Sequence, residues 1–525
     1  MRRSARSGAG LAVAGGRQVL LDAASKIRHN AATIEIVDAD AVLRSCSPMR
    51  TLFLQAPSFD GFDGGAGSRY QARREIASFW YPTWLAQPAA LIENSKLIDA
   101  PPHKTKLAEV VAQAKNFDLV VVHTSVPSFA SDVKCIEALK AENPSLKAGL
   151  IGAKVAVDAD GSLRNAPVVD FVARNEFDFT IKDVAEGIEF SRIKGLSYRD
   201  AQGNVQHNED RPILENMDDL PFVSPVYKRD LAIENYFIGY LKHPYLSIYT
   251  GRGCKSRCTF CLWPQTVGGH RYRTRSVGHV IEEIKWAQKA FPQVKEFFFD
   301  DDTFTDDLPR AEAIAKELGK LGITWSCNAK ANVPYESLKK LKDGGLRLLL
   351  VGYESGNQQI LFNIKKGMRI EVAEKFSKDC RKLGIGIHGT FVMGLPGETR
   401  ESIRETIQFA KKVNPHTLQV SLAAPYPGTA LYAQALAHGW LDSDNAELVD
   451  EHGVQIAPLH YPNLSHKEIF DSVETFYREF YFRPGKIGSI VWEMARDMDM
   501  MKRRLREGAE FFQFLRERKQ GAAGC

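Results

Sequence analysis

Residues 249–264 read YTGRGCKSRCTFCLWP, and the spacing of Cys254, Cys258 and Cys261 in that run decides how the rest of the chain is read. Three cysteines in one short, glycine-led loop mark a metal centre, since the thiolate is a strong metal ligand. Structural zinc takes four protein ligands, and the next His or Cys along the chain is His270. A cubane iron–sulfur cluster is ordinarily held by four thiolates. Three leave one iron open to a substrate or cofactor. A zinc knuckle or three unrelated thiols is the alternative that spacing alone keeps open.

Outward from the loop, 525 residues exceed one ordinary domain. A formal net charge of +5 is small for that length and leaves no electrostatic footprint demanding nucleic acid. Eight cysteines spread from Cys46 to Cys525 form no disulfide framework, which points to a reducing, cytoplasmic compartment. No run approaches the ~18 apolar residues of a membrane span. Residues 1–48 read as a disordered extension or a mis-called start, because the first strand, MRTLFLQAP, begins at Met49.

Over 49–195, apolar runs (TLFLQ, FDLVVVHTS, KAGLIGA, DFVARNE) alternate with helical stretches near 84–95 and 130–142. That alternation predicts a doubly wound parallel sheet. Ligands of such sheets lie beyond the strands' carboxyl ends, here residues 56–62, 123–127, 152–154 and 174–176. His123, ending an apolar strand, reads as a hydrogen-bonded rim residue. Residues 196–245, with the turn-prone NEDRP and DDLPFVSP, read as a linker containing a small strand or hairpin.

From 246 to 440, KEFFFDDDTF, ITWSCNA, LRLLLVGYES, GIHGTFVMGLPGET and LQVSLAAPYPGT alternate with helices, predicting a β/α barrel, complete or partial. Cys327 on one strand, and Cys135 and Cys380 on helices, read as buried inert thiols. Residues 441–525 are helical, aromatic and basic. An amphipathic helix there packs over the barrel or lies on a bilayer surface.

The gaps of three and two residues, with Phe260 before the last cysteine, resemble the signature loop of the radical S-adenosylmethionine (SAM) superfamily. That resemblance implies a [4Fe–4S] cluster on Cys254, Cys258 and Cys261 whose open iron chelates SAM. It also implies a reductant such as flavodoxin or ferredoxin. The strand ends then carry the family's SAM contacts: Asp301 and Asp302, beside Asp300, where many members grip the methionine ammonium; Glu354 and Ser355 for the ribose or methionine carboxylate; and Gly394 in GLPGET beside adenine. Glu398 could merely cap the next helix. The preceding α/β domain resembles the cobalamin-binding domain of the B12-type radical SAM subfamily and so allows cobalamin. No axial histidine is assigned, since Lys154 follows Gly152 and Ala153 where relatives carry a histidine. The phrases FWYPTWLA, FCLWPQT, FFFDDDTF and VGYESG resemble the hopanoid-biosynthesis radical SAM proteins. This likeness implies a hopanoid lipid substrate and peripheral contact at the inner membrane.

Overall fold

The computed structural model describes residues 48–57, 78–442, 448–449 and 456–496, with 501, 505–506 and 508–509. The expected extension ahead of Pro48 and the basic end of the tail lie outside the described residues.

Seven strands form the first sheet: β1 Thr51–Gln55, β2 Ser95–Asp99, β3 Leu119–His123, β4 Lys147–Ile151, β5 Phe171–Ala173, β6 Leu196–Arg199 and β7 Val205–His207. Their order is β2-β1-β3-β4-β5-β6-β7. The first five are parallel, and β6 and β7 add an antiparallel hairpin. The parallel strands read as unbroken apolar runs because both faces are covered. Phe53, Val121 and Ile151 join one core, and Leu52, Leu54, Val120 and Val122 join a second on the opposite face. The structure adds β2, whose sequence SKLID falls partly in the stretch expected to be helical. That helix is shorter, Thr83–Ala90. The hairpin expected in the linker extends the first sheet rather than standing alone.

The second sheet comprises β8 Tyr245–Ile248, β11 Glu296–Phe299, β12 Trp325–Ala329, β13 Leu346–Glu354, β14 Gly386–Met393 and β15 Thr417–Leu422. All pair in parallel in chain order, leaving β8 and β15 as free ends. The barrel is therefore partial. A two-residue ribbon, β9 Gly251–Arg252 with β10 Arg273–Thr274, brackets the cysteine loop.

The edge of β15 is covered by the helix His466–Tyr481. Val420 N–H donates to the Tyr477 hydroxyl and Leu418 N–H to that of Tyr481, each at 3.0 Å. An edge strand left with bare N–H groups invites pairing with another chain. Ile469, Val473, Phe476 and Phe480 bury the helix's apolar face. Of the two roles expected for this amphipathic segment, the helix takes the packing role. The next helix, Pro484–Arg496, differs: Ile487, Val491 and Trp492 are exposed on it, and Phe482 just before it.

Both sheets share one core. The rings of Tyr81 and Tyr236 stack at 4.2 Å, Tyr245 meets Tyr81 edge-on at 5.3 Å, and the Tyr81 hydroxyl donates to the Tyr245 carbonyl at 2.8 Å.

Candidate active site

Parallel strands end on the same side, so the loops after β8, β11, β12 and β13 converge at the barrel mouth. The loop after β8 carries the three cysteines. Its entry is fixed by Thr250, whose N–H and hydroxyl both donate to the Asp301 carboxylate, at 2.5 and 2.6 Å. Gly253 then takes φ +87°, and a Cβ there would sit 2.3 Å from the Arg271 carbonyl. Only glycine makes that turn without strain.

The loop is also clamped from the first domain. Arg252 forms a two-pronged ion pair with Asp178 (2.6 and 3.1 Å), and Arg273 with Glu176 (2.6 and 2.8 Å). All four side chains are buried. The strand-end segment 174–176, expected to hold a ligand, instead supplies this clamp, and Arg174 turns to Asp210 at 2.8 Å.

Cys254 and Cys258 are buried and Cys261 half-buried, all three as free thiols. Burial pushes the Cys258 and Cys261 thiols up. A bound metal reverses that preference by deprotonating its ligands. Among the described residues, the His, Cys, Asp and Glu side chains that gather three ligand atoms within 4.8 Å are Asp442, His460 and His466. Three thiols in one buried loop fit a cubane cluster with one open corner.

The expected SAM contacts divide into two groups. Asp302 and Glu354 act electrostatically on the thiols, Asp302 on Cys261 and Glu354 on Cys258. Glu354 ends β13 at φ +63°, where the register shifts against β14. A non-glycine residue in that region costs ~1–3 kcal/mol and is typical of functional sites. Phe260 is half-buried beside the last cysteine, and Thr259 N–H donates to the Ile364 carbonyl at 3.0 Å.

Asp301, Ser355 and Gly394 point elsewhere. Asp301 is buried, with its oxygens taken by Thr250 and, at 2.6 Å, by the Tyr272 hydroxyl. Burial raises its carboxyl. The Ser355 hydroxyl faces Thr406 at 3.1 Å. Gly394 takes φ +84° but spends its N–H on Glu398 Oε2 (2.6 Å) and its carbonyl on the Tyr461 hydroxyl (2.8 Å). Glu398 is not the helix cap, since Thr399 accepts from Ser402 N–H instead. Asp300 lies 3.2 Å from both the Tyr249 hydroxyl and Asn328 Nδ2.

Two cations were missed by sequence reasoning. Lys366 pairs with Glu354 at 2.7 Å, and Lys330, just past β12, pairs with Asp306 at 2.6 Å. Burial pulls the Lys366 ammonium down, but Glu354 and the two thiols Cys258 and Cys261 outweigh it, so it is held well above its ordinary value. The only sequence signal was the pair Lys365–Lys366 ahead of Gly367. Cys327, Cys135 and Cys380 are fully buried in the apolar cores, as expected.

The carboxyl ends of β3 and β4 face the barrel across an apolar seam. Ala153, Val126 and Ala156 pack against Trp84, Leu262, Trp263, Val267 and Tyr426. His123 is half-buried, its Nε2 3.4 Å from where a Cβ on Gly152 would lie, and Lys154 is held by Asp158 at 2.6 Å. Among the described residues, this seam is closed by apolar packing and Lys154 is engaged by Asp158.

Residues 248–410 match the family model of the Radical SAM superfamily. An uncharacterized methyltransferase of Pyrococcus horikoshii is 30% identical over 424 residues, spanning 78% of this chain and 90% of the relative. Two solved structures share the fold. The radical SAM methyltransferase TsrM of Kitasatospora setae, solved with tryptophan and a SAM analogue, is 16% identical with TM-score 0.63, covering 83% of this chain and 89% of its own. The cobalamin-dependent radical SAM enzyme OxsB, solved with aqua-cobalamin and SAM, is 15% identical with TM-score 0.66, covering 93% and 76%. With the cysteine loop at the mouth of an open parallel barrel, behind an α/β domain, this chain belongs to the radical SAM superfamily, whose cofactors include a [4Fe–4S] cluster and SAM.

Proposed function

We propose that the chain is a radical SAM enzyme of hopanoid lipid biosynthesis, a bacteriohopanetetrol cyclitol ether synthase that contracts the sugar ring of glucosaminyl bacteriohopanetetrol. One observation carries the reading: each of the four phrases that resemble the hopanoid proteins lies against another of them or acts on the cysteine loop. Trp84 of FWYPTWLA stacks on Trp263 of FCLWPQT at 5.4 Å, Trp80 meets Phe298 of FFFDDDTF at 5.7 Å, and Glu354 of VGYESG acts on Cys258.

When bound, the cluster and SAM supply a 5′-deoxyadenosyl radical that removes a hydrogen atom from an unactivated C–H bond. The chain's own part is positional. Cys254, Cys258 and Cys261 would hold three irons of the cluster, and Asp302 and Glu354 would accept hydrogen bonds from the ammonium or ribose of SAM. Lys366 pairs with Glu354 at 2.7 Å, and Phe260 would wall the cofactor. Asp301, Ser355 and Gly394 shape these positions from behind. The Trp84–Trp263 stack would help exclude water from the site. A flavodoxin or ferredoxin delivers the electron. Among the described residues no helix is long and apolar enough to cross a membrane. The exposed Phe482, Ile487, Val491 and Trp492 give the chain an apolar surface for peripheral contact at the inner membrane, where a triterpenoid resides.

The test is anaerobic incubation of reconstituted enzyme with SAM, a reductant and glucosaminyl bacteriohopanetetrol. Both 5′-deoxyadenosine and a cyclitol ether are expected, and the absence of both removes the assignment. A second reading, favoured by the name of the Pyrococcus relative, is a cobalamin-dependent methyltransferase on a lipid or other metabolite. A corrin would then part the seam between Ala153 and Trp263. S-adenosylhomocysteine would accumulate beside 5′-deoxyadenosine, and cobalt would copurify.

A further inference from the structure

Three side chains that the radical chemistry does not use meet after the helix Ala430–His438. Asp442 Oδ1 lies 3.5 Å from His460 Nδ1, and its Oδ2 lies 3.3 Å from His466 Nε2. The two imidazole centroids are 4.9 Å apart. One ligand atom from each residue falls within 4.8 Å of the others. They line an open cavity of about 600 Å³ together with Arg400, Ser465 and Glu468.

Three details separate this group from an ordinary solvated ion pair. First, both N···O separations exceed the ~2.7–3.2 Å of a hydrogen bond. They match instead the edge of a tetrahedron whose corners lie ~2.0–2.1 Å from a zinc ion, about 3.3 Å. Second, His466 Nδ1 lies 2.8 Å from the Ala457 carbonyl and so donates its proton there, leaving the Nε2 lone pair toward Asp442. A second hydrogen bond of this kind orients metal-bound imidazoles. Third, His460 Nδ1 is buried and, among the described residues, carries no hydrogen bond. A buried ring nitrogen without a partner is costly unless something fills the place.

We propose that Asp442, His460 and His466 bind a divalent transition-metal ion, zinc by preference, through one carboxylate oxygen and two imidazole nitrogens, with a fourth position open to water. Nitrogen and carboxylate donors in a four-coordinate arrangement suit zinc, whereas magnesium and calcium take six or more oxygens. The ion acts as a clasp. His460 N–H donates to the Trp440 carbonyl at 3.0 Å, and the neighbouring Tyr461 hydroxyl donates to the Gly394 carbonyl past the end of β14 at 2.8 Å. Drawing 442 against 460–466 therefore fixes the side chain that braces the Gly394 turn. This site is independent of the cysteine loop and of the substrate proposed above.

The test uses holoenzyme with its iron cluster assembled, so that the three cysteines are occupied. It is equilibrated by dialysis against buffered zinc and analysed for zinc and iron. About one zinc per chain is expected at saturation. His460→Gln and His466→Gln should bind it at least ~100-fold more weakly, at or beyond what outer-shell changes cost, with iron content retained. Asp442 is largely exposed, so Asp442→Asn leaves packing intact and provides a second measurement. Zinc should raise the melting temperature of the wild type, and of this variant much less. Wild type that takes up no zinc at micromolar free metal, or zinc retained equally by the histidine variants, overturns the proposal. So does an equal thermal shift in Asp442→Asn.

Discussion

Removing the Arg252 guanidinium should destabilise the cysteine loop more than any surface ion pair could. Arg252 and Asp178 are each 4% exposed and joined at 2.6 Å, and Glu176 adds a second carboxylate 3.8 Å from the same guanidinium. The guanidinium also lies 5.0 Å from the Trp84 ring. Arg252→Met leaves the buried Asp178 carboxylate without its cation, a change that costs ~3–5 kcal/mol in comparable buried pairs. Lost cation–π attraction adds ~0.5–2 kcal/mol. Arg252→Met/Asp178→Leu removes both charges and should recover most of the loss, because replacing a whole buried pair with apolar groups is often neutral. Urea unfolding of the anaerobic holoenzyme, followed by tryptophan fluorescence and by iron release, reads both effects. Arg252 lies two residues ahead of Cys254 on the ribbon that brackets the loop, so iron release should shift to lower urea together with the fluorescence. A single variant that loses less than ~1 kcal/mol would falsify the claim that the clamp holds the loop. So would a double variant that loses as much as the single.

Cys254→Ala, Cys258→Ala and Cys261→Ala should each abolish the brown chromophore and bring 5′-deoxyadenosine formation to background, whereas Cys327→Ala should leave the chromophore in place; iron analysis and visible absorption check both. Tyr477→Phe leaves the buried Val420 N–H without its acceptor, and a loss of ~1–3 kcal/mol in urea unfolding is expected. Burial pushes the Glu398 carboxyl up to about 8 from its ordinary 4.5. The folded protein therefore holds this proton longer than the unfolded chain. Its stabilising effect is full below 4.5 and is lost as pH rises through 8, at up to ~1.4 kcal/mol per pH unit. Glu398→Gln should flatten that part of the stability profile, and an unchanged slope would count against a buried, protonated Glu398.

The strands legible in the sequence were those buried on both faces. FFF at 297–299 and LVVV at 119–122 are continuous apolar runs, and position in a parallel sheet explains them. SKLID at 95–99 was not legible because β2 is an edge strand with an exposed Lys96. The cysteine spacing was legible because its ligands are local. The acids were not. Asp300, Asp301 and Asp302 are adjacent in sequence, but only the fold decides that Thr250 and Tyr272 occupy Asp301 while Asp302 acts electrostatically on Cys261. Lys366 met the same obstacle, since its partner Glu354 lies across a register shift that no propensity encodes.

The clamp also bears on what the first domain is for. Its carboxyl-end acids Glu176 and Asp178 are consumed by Arg273 and Arg252, one on each strand of the ribbon that brackets the cysteines. Asp301 fixes the same ribbon from the barrel side through Thr250 and Tyr272. A three-thiolate cluster has one ligand fewer to hold it, so the geometry of its loop must come from elsewhere. Here it comes from both domains at once. The α/β domain therefore has a mechanical role at the cluster whether or not a corrin lies against it. Variants at Arg252 should therefore lower cluster integrity whether or not cobalamin is bound.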